Sequence, residues 1–404
     1  MKKTFSGINL EDVQEINRST VLNILRRKNV TSRIEIAKTT GLKQSTITNI
    51  VKEFISTNIV KEVGMIEGVK GRRSIGITLN SDNYKVIAVK ITRKYYEVAL
   101  YDIIGNCFDY YKDNIDSLDS PSSVIMNILN KIESIQKNNS DIIGVGVAVP
   151  GPFIKDTGRI ALISGTNGWN QIDICEIFQR NLSVPVFFEH DANAAAIAEW
   201  WFGNFNIEKG TMITVLGGQG IGCGIVIDGM IYNGASGIAG EIGHVSIDYN
   251  GPQCECGNKG CLELYCSSLR LIDNIEHKLP NYPESYLSNI DVTFESISKA
   301  VNIGDELAII CVKEVSKFLS YGIVTLINTY NPHIIVINDE LNCGGHILLS
   351  RIKEDVKKRV VDDVYENLII EFSSLKDDSK LLGAVTLVTN EIFSKPSRVL
   401  KTKK

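Results

Sequence analysis

The chain has 404 residues, 22% of them charged, a mean hydropathy of +0.02 and a formal net charge of −4. This length predicts two or three domains, because a single hydrophobic core rarely serves more than about 250–300 residues. There is no run of about 20 apolar residues and no apolar segment near the start, which predicts a cytoplasmic protein that does not enter membranes. Residues 1–80 carry +7 and the remainder −11, so only the basic head is expected to meet a polyanion.

Three short helical patterns occupy the first 60 residues. The first covers residues 19–28, the second opens with the capping sequence SRIE at 32–35, and the third begins at Gln44, after a glycine at 41. The third pattern has a single apolar stripe with spacings of three and four residues. Its opposite face carries the short polar side chains Gln44, Ser45, Thr46, Thr48 and Asn49.

This arrangement predicts a winged helix-turn-helix domain over residues 1–80. Two helices joined by a glycine-containing turn are typical of the helix-turn-helix, and short polar side chains suit phosphates and base edges in the major groove. Extended segments at 59–63 and 75–79 predict a wing, whose basic tip offers phosphate contacts from Lys70, Arg72 and Arg73. The alternative is a helical interaction domain with a merely solvated polar face; the combined features favour DNA binding.

From residue 84 onward the pattern changes to alternating strands and helices. Three β-rich runs near 85–91, 95–103 and 107–111, separated by turn residues, predict an antiparallel meander. The later expectations are strands at 142–148, 184–189, 211–216, 224–227 and 334–337, and helices at 124–136, 192–202 and 306–330. Such alternation predicts an α/β fold.

Three cysteines closely follow one histidine in this body. His244, Cys254, Cys256 and Cys261 form the donor set of a closed Cys₃His site, in which Zn²⁺ has no position left for water and is structural. In a reducing cytoplasm such a cluster indicates metal binding before disulfide bonding. Unmetallated thiols are the less favoured alternative.

Several segments after residue 80 resemble, in order, those of the ROK family of repressors, open reading frames and sugar kinases. They are GVGVAVPG at 144–151, EHDAN at 189–193, GQGIGCG at 218–224, GIAGEIGH at 237–244 and CECGNKGCLE at 254–263. The family's zinc spacing, His-x₉-Cys-x-Cys-x₄-Cys, is also present. The resemblance implies a two-lobed, actin-like ATPase-type body: lobe I at 81–193, completed by a helix at about 380–393, and lobe II at 194–379, with the zinc segment.

The same resemblance implies a sugar site. Its residues would be Asn167, His190, Asp191, Glu241, His244 and Glu263. Asp191 matches the catalytic base of family kinases, and a carboxylate there could accept a proton from a sugar hydroxyl. Glu241 and Glu263 flank the zinc segment, so zinc would brace the sugar pocket.

The phosphate machinery of family kinases is incomplete in this chain. Residues 90–94 read KITRK where kinases have an Asp-x-Gly-Gly-Thr turn, which replaces a carboxylate near Mg²⁺ and two small residues by cations and bulk. Asp339 and Glu340 stand where kinases have glycines near the nucleotide. Asp191 is therefore interpreted as a vestigial base and the protein as no enzyme, with residual sugar kinase activity left open.

A winged head with GRRS at 71–74 resembles the family's transcriptional repressors, most closely the xylose-repressor and N-acetylglucosamine-repressor types. The predicted function is a sugar-responsive repressor of carbohydrate utilisation genes such as those of xylose metabolism. A homodimer or tetramer would bind a palindromic operator, and a small sugar in the interlobe cleft would alter that binding. The alternatives are an ATP-dependent sugar kinase with an appended DNA-binding domain, and a repressor that answers to a protein partner. The effector sugar stays open.

Overall fold

The computed structural model describes residues 7, 9–67, 73–116, 118–160, 168–205 and 207–397. The chain divides into two compact units, the first from residues 1–148, 174–188 and 384–404 and the second from 149–173 and 189–383. Lys70, Arg72 and Asn167 of the predicted sites lie outside the described residues. The predicted domain boundaries after residues 80, 193 and 379 stay predictions.

The head of the first unit consists of three helices and a small sheet. Its elements are α1 (Leu10–Lys28), β1 (Thr31–Ser32), α2 (Arg33–Thr40), α3 (Gln44–Ser56), β2 (Val60–Glu67) and β3 (Arg73–Leu79), with sheet order β1-β3-β2. The start of α2 is as the capping sequence predicts, because the Ser32 side chain accepts from the backbone N–H of Glu35. α1 begins nine residues before the predicted helix, since Asn9 and Asp12 form a capping box there.

The head has its own apolar core. Buried side chains from all three helices and the wing meet in it: Val21, Leu22, Leu25, Ile36, Ile47, Val51, Phe54 and Ile77. Four residues of the α3 stripe, Ile47, Ile50, Val51 and Phe54, are buried, Ile55 is half-buried, and the polar face of the helix is therefore on the outside. The buried Tyr84 continues the core towards the next segment, and its hydroxyl donates to the Thr57 carbonyl at 2.6 Å.

A five-stranded mixed sheet follows in the first unit. Its elements are β4 (Lys85–Ile91), β5 (Tyr95–Asp102), β6 (Cys107–Asn114), α4 (Pro121–Asn138), β7 (Ile142–Val149), α5 (Ile174–Asn181) and β10 (Val186–His190), with strand order β10-β7-β4-β5-β6. β4, β5 and β6 form the predicted antiparallel meander, whereas β7 pairs parallel to β4 after the α4 crossover. The C-terminal helix α13 (Ser379–Ser394) packs closely on β7, because a Cβ at Gly146 would lie 1.9 Å from the Ala384 carbonyl oxygen.

The second unit contains a short hairpin and another five-stranded sheet. The strands are β8 (Phe153–Ile154), β9 (Arg159–Ile160), β11 (Thr211–Gly217), β12 (Ile221–Ile227), β13 (Met230–Ile231), β14 (Ile334–Asn338) and β15 (Ile369–Phe372), and the large sheet has the order β13-β12-β11-β14-β15. The helices are α6 (Asp191–Phe202), α7 (Glu263–Cys266), α8 (Ser268–Lys278), α9 (Phe294–Ile303), α10 (Glu306–Tyr330), α11 (Gly345–Lys357) and α12 (Asp362–Glu366). The α/β fold and the bounds of α10 are as predicted.

The alanine-rich α6 packs closely on β12 and begins at Asp191. Most of its residues are buried, and a Cβ at Gly224 of β12 would lie 2.1 Å from the Ala192 carbonyl oxygen. Alanine and glycine let helix and strand approach this closely. The first turn of α6, with Asp191, is thereby held at the end of β10. In the described ranges no helix is both long and apolar enough to span a membrane.

Candidate metal centre and adjoining polar site

The four predicted zinc ligands come together in the second unit. His244 ends a short 3₁₀ turn at Ile242–His244, and the three cysteines lie in the loop that follows. The Cys254 Sγ lies 3.7 Å from His244 Nδ1, and the Cys256 and Cys261 sulfurs lie 3.7 Å apart. Gly260 makes this loop possible with a φ of +64°, and a Cβ there would be 1.7 Å from the Asp248 carbonyl oxygen.

This donor set fits a tetrahedral zinc ion. Bonds of about 2.3 Å to sulfur and about 2.0 Å to nitrogen place neighbouring ligand atoms roughly 3.5–3.8 Å apart. Both distances above fall in that range, and all four ligand atoms lie within 4.8 Å of one another. Since the four protein ligands fill the tetrahedron, the cluster has the character of a structural site rather than a catalytic one.

Glu263 adjoins the cluster directly. It begins α7 two residues after Cys261, and its Oε1 lies 3.3 Å from His244 Nδ1 and 3.5 Å from the Cys254 sulfur. Because Nδ1 is the histidine nitrogen that faces the thiols, Nε2 is the ring nitrogen available to a second partner.

His190 and Asp191 form a second polar group at the junction of β10 and α6. His190 Nε2 lies 3.1 Å from Asp191 Oδ1. Burial favours the neutral form of each residue. The attraction within the pair, together with Glu241 and Glu189 on His190 and Lys380 on Asp191, outweighs burial, so the pKa of His190 is raised and the pKa of Asp191 is lowered. The backbone N–H of Ala192 in the first turn of α6 also stabilises the Asp191 carboxylate.

Glu241 connects the two polar groups electrostatically. Burial raises the pKa of Glu241; His190 and His244 oppose this rise, and Asp191 and Glu263 add to it. Within the described part of the chain, His190 Nδ1 and Glu241 Oε1 are buried atoms without a hydrogen-bond partner. Such atoms are costly unless something bonds to them, so they mark a place where a polar ligand would be stabilised.

The structure thus brings five of the six predicted sugar-site residues into one region of the second unit, namely His190, Asp191, Glu241, His244 and Glu263. Trp169, near the undescribed Asn167, is buried.

The contact of Gly151 with this site was missed by sequence reasoning: a Cβ at Gly151 would lie 2.1 Å from His190 Nε2. The segment GVGVAVPG at 144–151 predicts only that the chain turns at this glycine, not that it contacts His190.

The predicted DNA-contacting residues of α3 are accessible to solvent. Gln44, Ser45 and Asn49 are exposed, and Thr46 and Thr48 are half-buried. Arg73, at the start of β3, is exposed as well. The face continues onto α1, where Gln14 and Asn17 line one surface pocket with Thr46 and Asn49.

Sequence reasoning missed these α1 residues because its first helix began only at residue 19. The signal was present, since Asn9 and Asp12 have capping-box spacing. Arg18 of α1 is also part of this surface: its Nε and Nη2 donate to the two oxygens of Glu53 on α3, each at 2.9 Å. This bidentate pair fixes the orientation of α3 relative to α1.

Residues 90–94, predicted as a turn, begin within β4 in the structure, and Lys90 has a partner inside the first unit. Lys90 is 3% exposed, and its ammonium lies 2.7 Å from Glu97 Oε2. The Tyr110 hydroxyl donates to the other Glu97 oxygen at 2.6 Å. The charge of Lys90, which stands where family kinases have a carboxylate, is therefore neutralised by Glu97 on the neighbouring strand β5.

Asp339 likewise has a partner within the chain. It has a φ of +82°, and Lys380 donates to its Oδ2 at 2.7 Å. A Cβ at Gly218 would lie 2.6 Å from the same carboxylate oxygen. The Asp339 carboxylate thus lies directly against the glycine loop of residues 217–220.

Comparison with known proteins agrees with these features. The model of the ROK family matches residues 86–391. The chain belongs to the ROK family. It is 29% identical to the xylose repressor of Caldicellulosiruptor bescii, over 95% of this chain and 98% of that protein.

Two solved structures differ in how much of this chain they cover. A ROK family transcriptional regulator, homologous to the Escherichia coli MLC protein, superposes with a TM-score of 0.80 at 25% identity, covering 96% of this chain and 99% of that one. A ROK family glucokinase from Streptomyces griseus superposes with a TM-score of 0.67 at 22% identity, covering 98% of its own length but 75% of this chain. The predicted family and fold are confirmed, and the regulator extends over a part of the chain that the kinase lacks.

Proposed function

We propose that this protein is a sugar-responsive transcriptional repressor of carbohydrate utilisation genes. The observation that carries the proposal is the presence, in one chain, of an exposed polar recognition face and a buried polar cluster with partnerless atoms at His190 and Glu241. The full-length similarity to a protein named xylose repressor supports the same assignment.

The head would bind operator DNA through α3. Its apolar stripe is buried, so the polar face can enter the major groove without disturbing the head. Gln44, Ser45, Thr46, Thr48 and Asn49 would contact bases and phosphates, with Lys70, Arg72 and Arg73 of the wing on the backbone. Two chains would present paired heads to a palindromic operator with half-sites about 10 bp apart or a multiple of it.

The polar cluster of the second unit would bind the effector. Adjacent sugar hydroxyls both donate and accept, which suits the carboxylates of Asp191, Glu241 and Glu263 together with the imidazole of His190. Asn167 is proposed as a further ligand. Structural Zn²⁺, when bound, would fix His244 relative to the cysteine loop, and Glu263 follows that loop by two residues.

Sugar binding would act by favouring one of two conformations of the protein. A ligand shifts such an equilibrium only by its differential affinity for the two states, so ~100-fold derepression needs about 2.7 kcal/mol of coupling.

A kinase with an appended head is the competing assignment, favoured by Asp191, which is held ionised at the start of α6. The internal partners of Lys90 and Asp339 argue against it, because Mg²⁺ and phosphate would have to displace them. We expect no sugar phosphate above background when the protein is incubated with Mg²⁺-ATP and D-xylose, D-glucose or N-acetyl-D-glucosamine. Sustained turnover that Asp191→Asn abolishes would make the protein a kinase.

The test of the repressor assignment is a fluorescence-anisotropy titration of the full chain with DNA from its own promoter regions, with and without each of the same three sugars. We expect one sugar to change operator affinity at least about tenfold. Glu241→Gln should bind the operator normally and lose the sugar effect, because Glu241 belongs to the second unit. Operator affinity that no sugar alters, with or without zinc, would contradict effector control by a sugar.

A further inference from the structure

A lysine of the β8–β9 hairpin reaches residues that adjoin the candidate effector site. Lys155 lies in the hairpin turn, and its ammonium forms an ion pair with Glu189 and donates to Asn233 Oδ1 at 2.8 Å. Its aliphatic stem lies over a glycine, since a Cβ at Gly237 would be 3.2 Å from Lys155 Cγ. One lysine therefore holds three segments of the second unit together.

The first partner, Glu189, is the residue that precedes His190 and Asp191. It is 2% exposed, and its Oε1 also accepts from the His190 backbone N–H at 3.0 Å and from Asn193 Nδ2 at 3.1 Å. A buried carboxylate needs compensating charge, and the Lys155 ammonium provides it. The lysine thereby fixes the backbone from which the His190 and Asp191 side chains project.

The second partner, Asn233, lies in the loop that leads to Glu241. Its backbone carbonyl accepts from Ala239 N at 3.3 Å, so the loop closes on itself two residues before Glu241. A displacement of Asn233 would therefore be passed to Glu241. Lys155 connects the corner that carries His190 and Asp191 with the loop that carries Glu241.

We propose that Lys155 is a positioning residue for the effector response, holding His190, Asp191 and Glu241 in the arrangement that binds the sugar. The proposal rests on the proposed function, since the effector site is its premise. Lys155 itself contacts none of these three side chains in the described contacts; it acts through Glu189 and Asn233. Precise placement matters here because the binding energy of a small polar ligand depends on several hydrogen bonds formed at once.

The test compares Lys155→Met, which keeps the stem and removes the charge, with Lys155→Arg, which keeps the charge. Both full-length variants are titrated with the sugar, among D-xylose, D-glucose and N-acetyl-D-glucosamine, to which the wild type responds. We expect Lys155→Met to weaken sugar affinity at least about tenfold while sugar-free operator affinity stays within about twofold, and Lys155→Arg to recover most of the loss. Lys353→Met is the matched control, because it removes an ion pair with Glu371 on the second unit's sheet.

A further variant separates positioning from stability. Lys155→Met leaves the Glu189 charge buried, so it should lower the unfolding midpoint, and adding Glu189→Gln removes that charge. The double variant should regain thermal stability and still bind sugar weakly. The inference is overturned if Lys155→Met binds sugar like the wild type, or if the double variant regains sugar affinity together with stability. A wild type that answers to none of the three sugars refutes the proposed function, and the inference falls with it.

Discussion

At the scale of single residues, the cysteine cluster gives the sharpest expectation. Cys256→Ser removes one of four ligands, and a closed tetrahedral site with three ligands holds zinc far less tightly. We expect the zinc content of the purified protein to fall from about one ion per chain to well below half, measured by mass spectrometry of metals. Sugar affinity should fall with it, because Glu263 is only 3.3 Å from His244 Nδ1.

Cys107→Ser is the matched control for this variant. Cys107 is exposed on β6, outside the cluster, and its substitution should leave zinc content and sugar response unchanged. A Cys256→Ser protein without zinc but with a normal sugar response would show that the metal does not brace the effector site.

A second residue-scale expectation concerns the buried Glu199 of α6. Burial raises the pKa of its carboxyl to about 7, against a smaller opposing effect of the Ser373 hydrogen bond, and the side chain is 0% exposed. The folded state therefore binds this proton more tightly than the unfolded state, so the group stabilises at acidic pH and costs stability as pH rises from about 4.5 to about 7.

Glu199→Gln should remove this pH dependence. Relative to wild type, the variant should gain roughly 2–3 kcal/mol in unfolding free energy between pH 5 and pH 8, because most of the range between the unfolded pKa of 4.5 and the folded pKa of about 7 lies above pH 5. Urea unfolding at the two pH values measures the difference. Exposed Glu354→Gln is the control, and an equal gain for both variants would contradict the assignment to Glu199.

The metal ligands could be predicted from the sequence because zinc binds few types of side chain, and the cysteines that bind it lie close together in the chain. His190 and Asp191 were found through the motif EHDAN. Lys155 could not be found in this way. Its buried partner Glu189 is 34 residues away in the chain, and the local sequence around such a lysine is the same as around a lysine exposed to solvent. Such contacts depend on tertiary packing alone.

At the scale of elements, α3 carries the clearest expectation. Asn49 is exposed on the polar face, and its amide can pair with the edge of an adenine. Asn49→Ala should weaken operator binding by about 1–3 kcal/mol and relax discrimination at one position of each half-site. Anisotropy titrations against a panel of operator variants measure both effects.

Ser56→Ala, at the other end of the same helix, serves as the control because Ser56 is exposed beyond the polar face. Sugar affinity should be unchanged in both variants. If Asn49→Ala weakened binding equally on every DNA sequence, Asn49 would be a phosphate contact and not a base-reading residue.

Every helix that was predicted has a strong local signal, but some helices with such a signal were missed, and the short strands depend on tertiary pairing. α10 has the predicted bounds because Asp305 caps it and Asn331 ends it in a left-handed conformation. α8, α9 and α11 were not predicted, although each has an amphipathic pattern. β1 is only two residues long and exists through its pairing with β3.

At the scale of the whole molecule, α3, the helix proposed to bind DNA, belongs to the first compact unit and the candidate effector cluster to the second. β7, β10 and α13 each contain a point at which the chain passes from one unit to the other. β10 ends at His190 and is followed at once by Asp191. A ligand bound by these two residues would therefore contact the end of β10. The first residues of that strand, 186–188, belong to the unit that contains the head.

This arrangement predicts reciprocal coupling between operator and sugar. If the sugar lowers operator affinity by a given factor, the operator must lower sugar affinity by the same factor, because both act on one equilibrium. Sugar titrations of the wild type by calorimetry, without DNA and with a saturating operator duplex, should differ by the factor found in the anisotropy experiment. A scrambled duplex at the same salt concentration is the control, since salt alone changes the binding of any DNA. Equal sugar affinity with and without operator, despite a sugar effect on operator binding, would mean that the site titrated by calorimetry is not the site that controls operator binding.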